Sequence, residues 1–175
     1  MRLKDAKASM LFPLIPPPLK GKLTLASTCD LTDHERMLFA VAINTLAKAI
    51  KKAPVPEEHL YINAVITDRD EVTLQVEPAG VMGNELHLVI YPVHRWRAVQ
   101  FKDLQILAVI TEELCHAIWH IVDEEAVMDK VTDVIQENFP SVTFASLYPG
   151  AALRRTEQAR QSVDPSPSAP PDPDS

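Results

Sequence analysis

The spacing of apolar and polar positions divides the chain into four blocks: a proline-rich start, a helical block, an alternating block and a longer helical block. Residues 1–30 read as irregular. LFPLIPPPLK places Pro13, Pro16, Pro17 and Pro18 close together, which forbids a helix and favours extended, polyproline-like backbone. Leu11, Phe12, Leu14 and Ile15 are apolar enough to lie against a domain surface. The next stretch, CDLTDHERMLFAVAINTLAKAIKKAP, is helical in pattern. Thr32 followed by Glu35 is a capping box, and Met37, Leu38, Val41, Leu46, Ala49 and Ile50 recur at helical spacing. Lys48, Lys51 and Lys52 crowd the last turn, where cations favour the helix dipole, and Pro54 ends it.

Period-two patterns follow. YINAVIT (61–67) is β-branched and aromatic, and EVTLQVE (71–77) alternates through Val72, Leu74 and Val76, with TDRDE as a polar turn between them. ELHLVIYP (85–92) alternates through Leu86, Leu88 and Ile90, which places His87 on the other face. The short connections predict an antiparallel meander.

From Val93 to Phe139 there is neither Gly nor Pro, and the pattern turns helical again. Leu104, Leu107, Leu114, Ile118 and Ile121 keep one face apolar. Past Glu125 the apolar set becomes Val127, Met128, Val131, Val134 and Ile135, rotated by roughly 100° from the first. One straight helix cannot bury both faces against one core. A break near Asp123–Glu125 is therefore expected, with Asp123 as N-cap of the second helix. From Arg154 the chain is polar and ends in VDPSPSAPPDPDS, which predicts a disordered tail. The expected fold class is α+β: an N-terminal helix, a small three-stranded antiparallel sheet, then two helices. The expected organisation is an irregular segment over 1–30, one domain over 31–153 and a tail over 154–175.

Composition narrows the function classes. The 175 residues are 46% hydrophobic and 23% charged, as in soluble globular proteins, and the net charge is −7. The basic residues Arg2, Lys4, Lys7 and Lys20 sit at the start, so the central part is the more acidic. That balance argues against direct nucleic-acid binding, which needs clustered cations. No long apolar run predicts a membrane span, and no secretory signal is apparent, so a cytoplasmic setting is expected. Cys29 and Cys115 are too few for a disulfide scaffold. Cys115, in an apolar helical pattern, reads as a small hydrophobe.

The chemistry gathers in TEELCHAIWHIVDEEA (111–126). On a helical wheel Glu112, Glu113, His116, His120, Asp123 and Glu124 fall within about 120° of one another, opposite Leu114, Ile118, Ile121 and Val122. Such a set reads either as a solvated face or as a metal site. Glu112 and His116 stand at i,i+4 and can point at one ion. Glu113 beside them is placed to polarise a water as general base. Ligands at i, i+4 and i+8 would span about 12 Å, so a third must come from elsewhere. A second helix folding back at the break would present Glu124 or Glu125. Elsewhere, His94, Arg95, Trp96 and Arg97 read as a basic loop with a packed Trp. Trp119 lies at the edge of the polar face, and core packing is its expected role.

EELCHAIWH…EEA resembles the zincin metallopeptidase signature HExxH, in the form HELxHxxxH…EExA found in small peptidases of the ImmA/IrrE type. The order of helix, strands, active-site helix and a helix bearing a Glu ligand is also similar. The resemblance implies Glu113 as the catalytic Glu, His116 as a metal-ligand His and His120 as a further His. Glu124 or Glu125 takes the downstream acidic position, and 85–91 would be the edge strand that receives an extended peptide. Glu112 stands where the family has its first His. A carboxylate can bind zinc, but it adds negative charge and makes a bound water less acidic. Two functions follow as expectations. One is a metal-dependent peptidase, with zinc or, given mixed carboxylate and imidazole ligands, manganese or iron. The other is a catalytically inactive module that binds a protein or peptide in the same groove.

Overall fold

The computed structural model describes residues 2–3, 13–53, 55, 61–70, 74–75 and 87–163. Strand β1 is Arg2–Leu3 and β2 is Leu23–Ser27, followed by helix α1 over Asp33–Lys52. Strands β3 (Ile62–Thr67), β4 (Leu74–Gln75) and β5 (His87–Pro92) come next. Helices α2 (Val93–Ala98), α3 (Asp103–Trp119), α4 (Glu124–Gln136), α5 (Phe144–Leu147) and α6 (Pro149–Val163) complete the described chain.

Helix α1 begins where its capping box requires. Thr32 Oγ1 accepts the Glu35 N–H at 3.1 Å, and Glu35 Oε2 accepts the Thr32 N–H at 2.8 Å. Two otherwise orphaned donors are thereby satisfied. Its buried stripe runs through Leu38, Phe39, Ala42, Ile43, Leu46 and Ala49. Met37 lies off that stripe and is half exposed.

The sheet corrects the expected meander. Strands β2, β3 and β5 form one three-stranded sheet in that order, and both pairings are parallel. Leu23 stands opposite Ile62, and Ile62 opposite His87. The protein remains α+β, but no antiparallel neighbour joins this sheet among the described residues. Alternation assigns side chains to faces and says nothing about strand direction. Direction follows from the connections, since parallel neighbours need a crossover of a dozen residues or more. Here α1 carries the chain from β2 to β3, and β5 begins far enough beyond the end of β3 at Thr67 for a second crossover. Of the expected strand 71–77, Leu74–Gln75 is described, and it pairs antiparallel with Arg2–Leu3. The rest of that strand lies outside the described residues.

Two other boundaries move. LTLAS within the supposedly irregular 1–30 is β2, with Leu23 and Ser27 buried at its ends. Residues 154–163, expected in the tail, belong to α6; residues 164–175 lie outside the described set.

Tyr91 shows where the core sits. It is fully buried on β5, meets Phe39 of α1 edge-on with ring centroids 5.2 Å apart, and donates its hydroxyl to Ile110 O of α3 at 2.9 Å. Helices α1 and α3 therefore cover the same face of β5. Trp96 of α2 closes this aromatic cluster against Phe39 and Tyr91, so the expected basic loop is a short helix with a core Trp. Each fully buried apolar side chain of this kind contributes roughly 1.5–3 kcal/mol. No single described helix is long and apolar enough to cross a membrane.

Candidate metal centre

Helix α3 carries the site because its two sides differ so strongly. Ile106, Leu107, Ile110, Leu114, Cys115 and Ile118 are buried, leaving Glu112, Glu113 and His116 on the remaining side. Burial pushes the Cys115 thiol well up, which makes it an inert core residue rather than a nucleophile. Helix α3 stops after Trp119 because His120 adopts a left-handed conformation, with φ of 52° and ψ of 36°. Non-glycine residues rarely adopt it, although His is among the more tolerant.

That conformation ends the wheel early. Val122, expected to face the core, is 89% exposed, since the chain has left the helix by then. Asp123 Oδ1 accepts the Ala126 N–H at 2.7 Å, as an N-cap should, and α4 departs at 110° to α3. The sharp turn carries the first residue of α4 back over the last turns of α3. Lys130 Nζ on α4 then sits 4.2 Å from the Trp119 ring centroid and joins the two helices from the other side.

The result is a convergence of three side chains able to ligate a metal. One ligand atom from each of Glu112, His116 and Glu124 lies within 4.8 Å of the others. His116 Nε2 and Glu124 Oε2 are 3.9 Å apart. His116 Nδ1 lies 2.5 Å from Ile121 O. A carbonyl can only accept, so Nδ1 donates its N–H there and Nε2 is the nitrogen turned toward Glu124. Metal-binding imidazoles are characteristically held in this way. Glu112 Oε2 accepts the Tyr148 hydroxyl at 2.8 Å. Two carboxylates and one oriented imidazole form a donor set that fits zinc, manganese or iron.

Glu113 faces a cavity of about 480 Å³, lined also by His87, Val89, His116, His120 and Glu124. Crowding by the cavity wall pushes the Glu113 carboxyl up; His116 opposes the shift, while the charges of Glu112 and Glu124 add to it. By surface area Glu113 is exposed, because the cavity is open to solvent, so the energetic consequence is small.

The remaining expected residues separate. Glu125 turns away from His116 toward Arg155, at 3.8 Å. His120 stays outside the three-residue group, and its ring centroid lies 5.3 Å from that of His87. Two contributors carry no sequence signal near the motif. His87 looked like an ordinary strand residue, and Tyr148 reaches Glu112 from more than thirty positions along the chain. Aromatic character alone does not mark such a residue.

The chain matches no protein-family model, no curated protein and no solved structure. The functional reading therefore rests on the geometry of the site.

Proposed function

We propose that this protein is a metal-dependent hydrolase acting on peptides, of the zincin kind that its EELCH motif resembles. The observation that carries the reading is the Glu112, His116 and Glu124 group, adjoining Glu113 at an open cavity. Glu112, His116 and Glu124 hold the ion, zinc first and manganese or iron as close competitors. When bound, the ion supplies Lewis acidity that polarises a carbonyl and lowers the pKa of water. Glu113 is the general base. A carboxyl raised toward neutrality accepts a proton and returns it more readily than one at its ordinary value. His116 keeps its orientation through the Ile121 carbonyl.

The substrate is an extended peptide. Among the described residues β5 pairs with β3 and stands at the end of the sheet order, the position at which an extended peptide adds as a strand. His87 and Val89 of that edge strand line the same cavity as Glu113, so a peptide on β5 passes the cluster. The strand runs parallel to β3, and the proposal needs only its edge position.

A second reading, a non-catalytic module that binds peptides or proteins, is favoured by Glu112 itself. With two carboxylate ligands an ion loses much of its net charge and polarises water less. The test is elemental mass spectrometry on protein purified without chelator, followed by hydrolysis of a quenched peptide library. About one metal per chain, with cleavage that Glu113→Gln abolishes, supports the hydrolase. Bound metal with peptide binding and no cleavage supports the module. No metal after zinc is offered overturns the metal centre and the hydrolase with it.

A further inference from the structure

The chain has an unusual ligand to account for: a carboxylate at position 112, where the motif it resembles carries an imidazole. The two groups differ in how they are held. An imidazole ring is rigid, and its second nitrogen can be anchored, as His116 is by Ile121 O. A glutamate has three side-chain torsions and loses more conformational entropy when fixed. Held loosely, Glu112 would be a poor partner for His116 and Glu124.

The geometry points to Tyr148 as the anchor: we propose that it is a positioning residue that holds the Glu112 carboxylate in place as a metal ligand through its hydroxyl. This rests on the metal-centre reading above. Tyr148 Oη donates to Glu112 Oε2 at 2.8 Å. A carboxylate offers about four lone-pair positions, so one hydrogen bond leaves room for an ion. The donor is itself well fixed. Tyr148 N donates to Phe144 O at 2.8 Å, and Tyr148 O accepts the Ala152 N–H at 3.0 Å, so the residue is pinned where α5 meets α6. Its ring stands 5.5 Å from the Phe144 ring. Phe144 in turn carries the Arg155 guanidinium 4.0 Å from its centroid, and Arg155 donates to Asp129 of α4 at 2.8 Å.

The pattern is then consistent across the three ligands. Ile121 O orients His116, the Asp123 cap sets the start of α4 that bears Glu124, and Tyr148 orients Glu112. Partners of this kind are typically worth 10–100-fold in metal affinity. The hydroxyl also draws some charge from the carboxylate, which partly offsets the extra negative charge at this position.

The test is a double-mutant cycle on the full chain: parent, Tyr148→Phe, Glu112→His and the two together. Each is titrated with Zn²⁺ against a chromophoric competitor, with melting of the metal-free proteins alongside. Tyr148→Phe should weaken zinc binding about tenfold in the parent. In the Glu112→His background it should change affinity by less than about twofold, since the ligand it anchors is gone. An equal loss in both backgrounds would mean a general structural role and overturn the inference. So would unchanged affinity in Tyr148→Phe when the parent binds zinc; both outcomes leave the metal centre standing. A parent that takes up no zinc defeats the metal centre and this inference together.

Discussion

Two glutamates, Glu35 and Glu113, are a useful pair because the protein treats them in opposite ways. Glu35 is buried at the start of α1. Burial alone would push its carboxyl up, but hydrogen bonds from the Arg97 guanidinium and from Thr32 more than reverse this and hold it below its ordinary value. Arg97 reaches it with two nitrogens, at 2.8 and 2.9 Å. Every charge there has a partner. Glu113 sits at an open cavity with Glu112 and Glu124 close by, and its carboxyl is pushed up. One site spends its charges on holding α1 to α2. The other keeps three carboxylates close together, with His116 and the Tyr148 hydroxyl among them and no arginine or lysine paired to Glu113 in the way Arg97 is paired to Glu35. Clustered ionisable groups with a shifted carboxyl beside a cavity are the feature on which the proposed function rests.

The sharpest way to break the contrast is to remove a ligand. His116→Ala should lower zinc affinity by more than about 100-fold while leaving the melting temperature of the metal-free protein nearly unchanged. Unchanged zinc stoichiometry would show the cluster to be a solvated face.

At the other glutamate the effects should invert. Arg97→Ala should destabilise the fold by about 2 kcal/mol in denaturant melts, since it removes both guanidinium hydrogen bonds from a buried carboxylate that then keeps only its Thr32 donors, and should leave zinc affinity alone. It should also change the acid limb of stability. The Glu35 carboxyl is depressed in the folded state, so its contribution is present above about pH 4.5 and is lost as pH falls through the folded value. Removing Arg97 should flatten that loss; an identical acid limb in both proteins would refute the assignment.

The elbow between α3 and α4 links the two kinds of effect. Asp123→Ala removes the α4 cap and should cost about 1 kcal/mol. Because the cap sets where Glu124 begins, zinc binding should weaken as well, unlike with Arg97→Ala. A stability loss with no change in zinc binding would place Glu124 outside the centre.

The smallest effect should come from Glu113→Gln. Neutralising a crowded but solvent-reached carboxylate should stabilise the metal-free protein by a few tenths of a kcal/mol, or not at all. Any measurable destabilisation would contradict the crowding by like charges that we assign to it.

How much was legible from the residues depended on how local the cause is. The Thr32 and Glu35 capping box, the lysines before Pro54, and the phase change that demanded a break capped by Asp123 are interactions within a few positions of one another. Each stands in the structure where the pattern places it. The pairing of Glu112 with His116 is equally local, being one turn of helix. Which glutamate completes the group was not. Glu124 and Glu125 differ by about 100° on α4, and only the 110° turn at the left-handed His120 selects the first. The direction of the strands was hidden for a related reason: alternation is the same in parallel and antiparallel sheets, and the order of β2, β3 and β5 is settled by crossovers. Tyr148 was invisible because its partner is distant in the chain. The sequence by itself determined the helices α1, α3 and α4, the caps of α1 and α4, and the residues able to ligate, whereas on β5 it is Val89 and Tyr91, not the expected Leu88 and Ile90 set, that face the core. Tertiary structure decided strand direction, which glutamate lies beside Glu112 and His116, and the Tyr148 hydroxyl bonded to Glu112, because those follow from contacts between segments far apart in the chain.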